Sequence, residues 1–258
     1  MSTNHVVVDR DGPVLTITMS RPEKKNALTH AMYAAMVDAL TGAATDAAVH
    51  AVLVTGAGDA FTAGNDLGDF LNAPPTGGES PVFRFLSALS TAEKPIVAAV
   101  NGIAVGIGTT MLLHCDLVYA ARSATFSVPF VNLALVPEAA SSLLLPRRIG
   151  HAKAADLFLL GGRMDAGQAA ATGLVAAVFD DAALLAEATQ RARVVAAKAP
   201  AAVRATKALM KRADEPIAER MRAEAAQFAV QLKSPELREA VKAFTEKRPP
   251  DFEKAVGS

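Results

Sequence analysis

The chain has 258 residues, 51% of them hydrophobic and 20% charged, enough apolar material for a sizeable core and far from a disordered composition. Lys and Arg total 26, as do Asp and Glu, so no global field draws in nucleic acid or an anionic membrane, and an anionic ligand must be held locally. A single cysteine, Cys115, excludes an intrachain disulfide framework and a cysteine-rich zinc site.

Val6-Val7-Val8, Asp11-Gly12 and Val14 to Met19 predict a β-hairpin with Asp-Gly at the turn. Thr29 is placed to cap a helix carrying Met32, Met36, Val37 and Leu40 on one face. Val49 to Thr55 is a β-branched run ending at the turn signal Gly56-Ala57-Gly58-Asp59, and residues 72–81 predict a surface loop. Pro95 to Val100 is a continuous apolar run before Asn101-Gly102, the pattern of a strand buried on both faces. A helix near 106–114, a strand at 116–121 and a helix initiated by Pro137 and reaching about Leu145 follow. From about residue 183 only helices are predicted, near 183–198, 200–212, 216–232 and 235–247. Strands alternating with helices indicate an α/β core, here with a helical C-terminal appendage.

Three stretches carry chemistry. In Ala60-Phe61-Thr62-Ala63-Gly64-Asn65-Asp66-Leu67, a Gly soon after a strand permits a tight turn that leaves N–H groups free. Asn101 to Thr110 leaves a buried strand through Gly102, Gly106 and Gly108 and enters a helix whose first N–H groups lack helical partners. Two such donors converging on one carbonyl oxygen would form an oxyanion hole, worth roughly 3–4 kcal/mol per donor. The plain alternative is a pair of ordinary Gly-rich strand–helix turns; Gly106-Ile107-Gly108 alone is no nucleotide signature. The third stretch, Leu133 to Ser142, holds one carboxylate, Glu138, in an apolar run directly after Pro137. It reads equally as a first-turn Glu complementing a helix dipole or as a general base in a dry pocket. Desolvation would raise its pKa and a helix N-terminus would lower it, so the residues alone leave both readings open.

Together with these, Arg21-Pro22-Glu23-Lys24-Lys25-Asn26-Ala27-Leu28, Phe61 to Leu67, Lys94 to Gly102 and Cys115-Asp116-Leu117-Val118-Tyr119-Ala120 resemble, in order and spacing, the crotonase (enoyl-CoA hydratase/isomerase) superfamily. The resemblance runs from about residue 5 to residue 250. It implies a crotonase-like spiral of ββα repeats over 1–199, carrying the active site, and a helical C-terminal trimerisation region over 200–258. A homotrimer, or a hexamer of two such trimers, is implied with it. The implied ligand is an acyl-CoA, with coenzyme A as part of the substrate and no separate cofactor or metal. By position, the thioester oxygen would be held by the main-chain N–H groups of Asn65 and Ile107, the latter following Gly106. Ala63, Gly64, Asp66 and Leu67 would lie along the CoA, Lys24 and Lys25 near its phosphates, and Phe244 and Lys247 near a neighbouring subunit's CoA. For each Lys an ordinary solvated charge is the plain alternative.

Hydratases of this superfamily place one Glu in the helix after the glycine turn and another after a Pro about twenty residues later. This chain has Thr110 and Phe130 there. Adding water across a conjugated double bond benefits from two carboxylates that position water and exchange protons with it; Thr and Phe cannot substitute. Moving a double bond from the 3,4 to the 2,3 position needs one base, and Glu138 after Pro137 is similar to the arrangement in the Δ3,Δ2-enoyl-CoA isomerase branch. Phe130 would then help to wall an apolar acyl pocket. Two other readings remain: a different CoA reaction on the same scaffold, hydration included, or a catalytically silent acyl-CoA-binding protein.

The five histidines show no metal-ligand spacing, and His114 is expected at a helix end. Asp116 is expected to accept local hydrogen bonds; for Arg147-Arg148, a helix-end pair and an intersubunit contact remain equal readings. Met1 to Arg10 lacks a secretory pattern, no apolar run approaches the roughly 20 residues of a membrane span, and Val256-Gly257-Ser258 is not a Ser-Lys-Leu address. The expectation is a cytoplasmic enzyme.

Overall fold

The computed structural model describes residues 5–72 and 79–256. The hairpin pairs β1 (Val6–Asp11) with β2 (Val14–Met19), antiparallel. Next come α1 (His30–Thr45), β3 (Ala51–Gly56), β4 (Ala60–Thr62), α2 (Leu67–Asn72), α3 (Pro81–Thr91), β5 (Ile96–Val100) and β6 (Ile103–Val105). Then α4 (Ile107–Thr110) runs directly into a 3₁₀ helix, Met111–His114. Beyond it lie β7 (Leu117–Ala121), β8 (Thr125–Ser127), α5 (Ser141–Ile149), α6 (His151–Leu159), β9 (Arg163–Asp165), α7 (Ala166–Ala171) and β10 (Ala177–Phe179). The chain finishes on α8 (Leu184–Ala196), α9 (Pro200–Met210), α10 (Ile217–Gln231), α11 (Pro235–Thr245) and α12 (Phe252–Val256).

The strands form two sheets, ordered β1-β2-β3-β5-β7-β10 and β4-β6-β8-β9. Each of β3, β5 and β7 is followed at once by a short strand of the second sheet, and helices return the chain for the next step. Three β–β–helix turns thus climb both sheets together, the spiral that the resemblance implies. β5, Ile-Val-Ala-Ala-Val, is buried throughout between β3 and β7, parallel to both, as a continuous apolar run requires. On α8, Leu184, Ala188, Ala192 and Ala196 are buried at a spacing of four, a stripe of mostly small residues that packs on β3, β5 and β7.

Thr29 caps α1, its hydroxyl accepting from Met32 N at 3.3 Å; Met32, Met36, Val37 and Leu40 are buried as the periodicity predicts, and Tyr33 is buried with them. The loop predicted over 72–81 is narrower: Asn72 closes α2, Ser80 caps α3 and Pro81 is its first residue, while 73–78 lie outside the described residues.

The helix expected at Pro137 does not begin there. Ala139 and Ala140 have φ of 54° and 53°, a left-handed conformation that no right-handed helix accommodates, and α5 starts only at Ser141. Glu138 therefore stands in a turn ahead of the helix rather than in its first turn.

Asp116 Oδ2 accepts from Ile96 N and from the buried Lys207 Nζ of α9, each at 2.7 Å, so the C-terminal helices are latched to the sheet. Arg147 of the doubtful pair meets Asp214 at 3.1 Å. α10 buries no residue within the chain and leaves Met221 and Phe228 more than 60% exposed.

Candidate active site

The site is assembled by two neighbouring strand ends. β4 and β6 are parallel, with Ala60 opposite Ile103 and Thr62 opposite Ala104. Asn65 lies three residues past Thr62 and Ile107 three past Ala104, so both residues follow at the same end of the second sheet and line one cavity. Neither main-chain N–H donates a hydrogen bond within the described residues: Asn65 sits at an isolated bridge to Leu28, and Ile107 is the first residue of α4. Two glycines permit the close approach. Gly64 has φ +92°, and a Cβ on it would lie 2.9 Å from Val105 O; a Cβ on Gly108 would lie 2.6 Å from Thr62 Cγ2.

The segment carrying Arg21 to Leu28 braces these turns from behind. Leu28 N donates to Gly64 O and Asp66 N to Leu28 O, and the buried Asn26 ties Ala57 O and Ala60 O through Nδ2. The Asn65 side chain is held by Tyr33, whose hydroxyl donates to Oδ1 at 2.5 Å. Tyr33 is fully buried and its ring meets Phe85 of α3 at 5.4 Å. Burial, with the Glu138 charge adding to it, pushes this phenol well above its ordinary pKa, so it stays a neutral donor.

A cavity of about 220 Å³ opens over the two amides. It gathers Ala63, Gly64, Asn65, Leu67, Gly106, Ile107 and Phe130 from among the expected site residues, and adds Phe70, Val105, Pro129, Leu133 and Leu135. The wall is apolar apart from Asn65 and carries no carboxylate. Glu138 does not line this cavity; its carboxyl, partly buried, rests 3.5 Å from the Thr110 hydroxyl, one helical turn along α4 from Ile107. Burial pushes that carboxyl from 4.5 up to about 7, and the Thr110 hydroxyl opposes the rise. A carboxyl in that range takes and returns protons near neutral pH.

Other expected residues stand apart from the cavity. Asp66 is engaged by Arg21 Nη1 at 2.6 Å and by Asp69 N at 3.1 Å, which hold its carboxyl below the usual range and make it a brace for α2. Lys25 is exposed and paired with Asp59 at 2.6 Å; Lys24 is exposed beside it. Phe244, 86% exposed, and Lys247 lie at the end of α11, outside the cavity wall of their own chain. His114, at the helix end where it was expected, is buried with Nε2 2.9 Å from Ala139 O. Sequence reasoning missed Tyr33, which carries no signal beyond that of a core aromatic. Among the described residues no cluster of three or more His, Cys, Asp or Glu could hold a metal, and no helix is long and apolar enough to cross a membrane.

A family model described as enoyl-CoA hydratase/isomerase matches residues 9–255. The chain belongs to that family. It is similar to enoyl-CoA delta isomerase 2 of Rattus norvegicus, 39% identical over 213 residues, which cover 80% of this chain and 54% of the relative. The chain thus spans about half the length of that protein. It is also similar to 2,3-dehydroadipyl-CoA hydratase of Escherichia coli K12, 34% identical over 96% of this chain and 98% of the relative. Among solved structures, a protein of Magnetospirillum magneticum AMB-1, whose name pairs enoyl-CoA hydratase with carnithine racemase, superposes with a TM-score of 0.94 at 45% identity, covering 97% of this chain and 99% of the other. Family membership and fold are thereby fixed, and delta isomerases are among the relatives, as the resemblance to that branch implied. Hydratases are there too, at comparable identity.

Proposed function

We propose that the chain isomerises 3-enoyl-CoA to 2-enoyl-CoA with Glu138 as the single acid–base group. The Glu138 carboxylate takes a proton from C2 of the substrate, and the electrons move into the thioester carbonyl to give a dienolate. The Asn65 and Ile107 N–H groups carry the charge on its oxygen, each worth roughly 3–4 kcal/mol by analogy with known oxyanion donors. The Glu138 carboxylic acid then returns the proton to C4, the carbonyl re-forms, and the double bond has moved from 3,4 to 2,3.

The observation that carries this reading is a partly buried carboxyl, raised to about 7, that touches Thr110, a residue one helical turn along α4 from the unengaged Ile107 amide. Hydration would call for a second carboxylate. Thr110 and Phe130 occupy the positions where the related hydratases keep theirs, and Asp66, the acid of the Ala60–Leu67 stretch, is bound to Arg21. The apolar cavity wall, Phe130 included, would house the acyl chain, with Ala63, Gly64, Gly106 and Leu67 against the thioester and pantetheine. Lys24 and Lys25 would meet the phosphates, Lys25 by leaving Asp59. Residues 200–258 would form the oligomerisation region; the unburied apolar residues of α10 support this, and Phe244 and Lys247 would then reach a neighbour's CoA.

Parallel assays of the wild-type chain test the reading. Conversion of 3-enoyl-CoA to 2-enoyl-CoA should outpace hydration of 2-enoyl-CoA by a wide margin. Faster hydration would reject it in favour of a hydratase, and binding of acyl-CoA with neither reaction would favour a silent binding protein.

A further inference from the structure

The turn that carries Glu138 is built against the backbone preference of its own residues. Ser141 N donates to Glu138 O at 2.9 Å, closing a β-turn over Glu138–Ser141. Its central residues, Ala139 and Ala140, both have positive φ, 54° and 53°, the signs of a type I′ turn. Such turns are ordinarily made of Gly, Asn and Asp, because a Cβ in the left-handed region crowds the following carbonyl. Strain of this kind persists only where the surroundings over-determine it.

Two clamps do so here. The fully buried Ser141 adds its hydroxyl to its amide on Glu138 O, at 2.6 Å. The other clamp is remote in sequence: His114 Nε2 lies 2.9 Å from Ala139 O. A carbonyl only accepts, so Nε2 carries the proton, and the neutral ring favoured by burial is sufficient for the bond. His114 ends the 3₁₀ segment that continues α4, and Ile107, Thr110 and His114 follow one another at spacings of three and four in this helical run. One unbroken helical run, α passing into 3₁₀, therefore presents the Ile107 N–H, touches the Glu138 carboxyl through Thr110 and grips the next peptide through His114.

We propose that His114 is a positioning residue for the base: its ring N–H holds Ala139 left-handed and so fixes Glu138 at a set place relative to the amide at the start of the same helix. The proposal rests on Glu138 being the proton shuttle, and the test separates the two. The kcat and KM for isomerisation are compared in the parent, His114→Leu, His114→Gln, Ala139→Gly, His114→Leu/Ala139→Gly and Glu138→Gln, with circular dichroism as the folding control. His114→Leu should lower kcat about tenfold, the weight of one left-handed alanine released, while KM stays within about twofold because binding is left intact. His114→Gln, which retains an N–H on a planar arm, should recover most of the loss. Glycine adopts the left-handed region freely, so in the Ala139→Gly background the same His114→Leu change should cost no more than about threefold. A parental kcat in His114→Leu, or an equal loss in both backgrounds, would overturn the proposal. If His114→Leu does not fold, His114→Asn, too short to reach the carbonyl, replaces it in the same cycle. An active Glu138→Gln would sink the base assignment itself; an inactive one beside a fully active His114→Leu would sink only the positioning role.

Discussion

Replacing Glu138 by Gln should make the protein more stable, and only where the carboxyl would have been charged. The fold holds this group at about 7 against 4.5 for an ordinary glutamate. Between those values the unfolded chain binds fewer protons than the folded one, so stability falls as pH rises through that window. Above about 7 both states are ionised and the folded chain carries the whole cost, about 3 kcal/mol. Below 4.5 both are protonated and the cost vanishes. Gln keeps the shape, and its amide can still meet the Thr110 hydroxyl. At pH 8 the variant should therefore gain roughly 2–3 kcal/mol in denaturant unfolding, or about 5–10 °C in Tm for a chain of this size. At pH 4 the two proteins should unfold together. A gap of equal size at both pH values, or a variant less stable at pH 8, would show that the carboxyl is not held under a desolvation penalty.

Two other substitutions probe the same geometry. Thr110→Val removes the hydroxyl that opposes the rise of the Glu138 pKa, so the acid limb of the kcat–pH profile should move to higher pH; an unmoved or acid-shifted limb would contradict the contact. Gly64→Ala sets a methyl 2.9 Å from Val105 O at φ +92°, which should cost about 1–3 kcal/mol of stability in denaturant unfolding and at least about tenfold in kcat as the Asn65 amide is displaced. A variant with the parent's midpoint and turnover would refute the close packing of the two turns.

Much of this fold is written in its longer elements. The buried run Ile96–Val100, the cap at Thr29 and the Pro-led helices after residue 199 declare themselves because burial on both faces, a side-chain cap and a fixed φ each leave a local mark. The second sheet leaves almost none: Ala60–Thr62, Ile103–Val105 and Thr125–Ser127 are three residues each, too short for an alternating pattern, and they exist because the long strands beside them demand a partner layer. The glycines mark the two turns as places where N–H groups are left without partners, the choice of Asn65 and Ile107 there came only from the resemblance, and the fit of the two turns depends on contacts between distant segments. Pro137 misled for a physical reason. It suits the first turn of a helix, yet Ala139 and Ala140 are turned left-handed by Ser141 and by His114, a residue 25 positions upstream of the carbonyl that it grips. The pairing of Asp66 with Arg21, 45 residues before it, likewise left no mark in the motif itself.

Proton transfer by one carboxyl is the step on which the proposed isomerisation depends. Steady-state isomerisation of 3-enoyl-CoA by Glu138→Gln, alongside a binding measurement with the same acyl-CoA, tests it most directly. A loss of at least about a hundredfold in kcat with binding retained is the predicted result; turnover within a few-fold of the parent would contradict it.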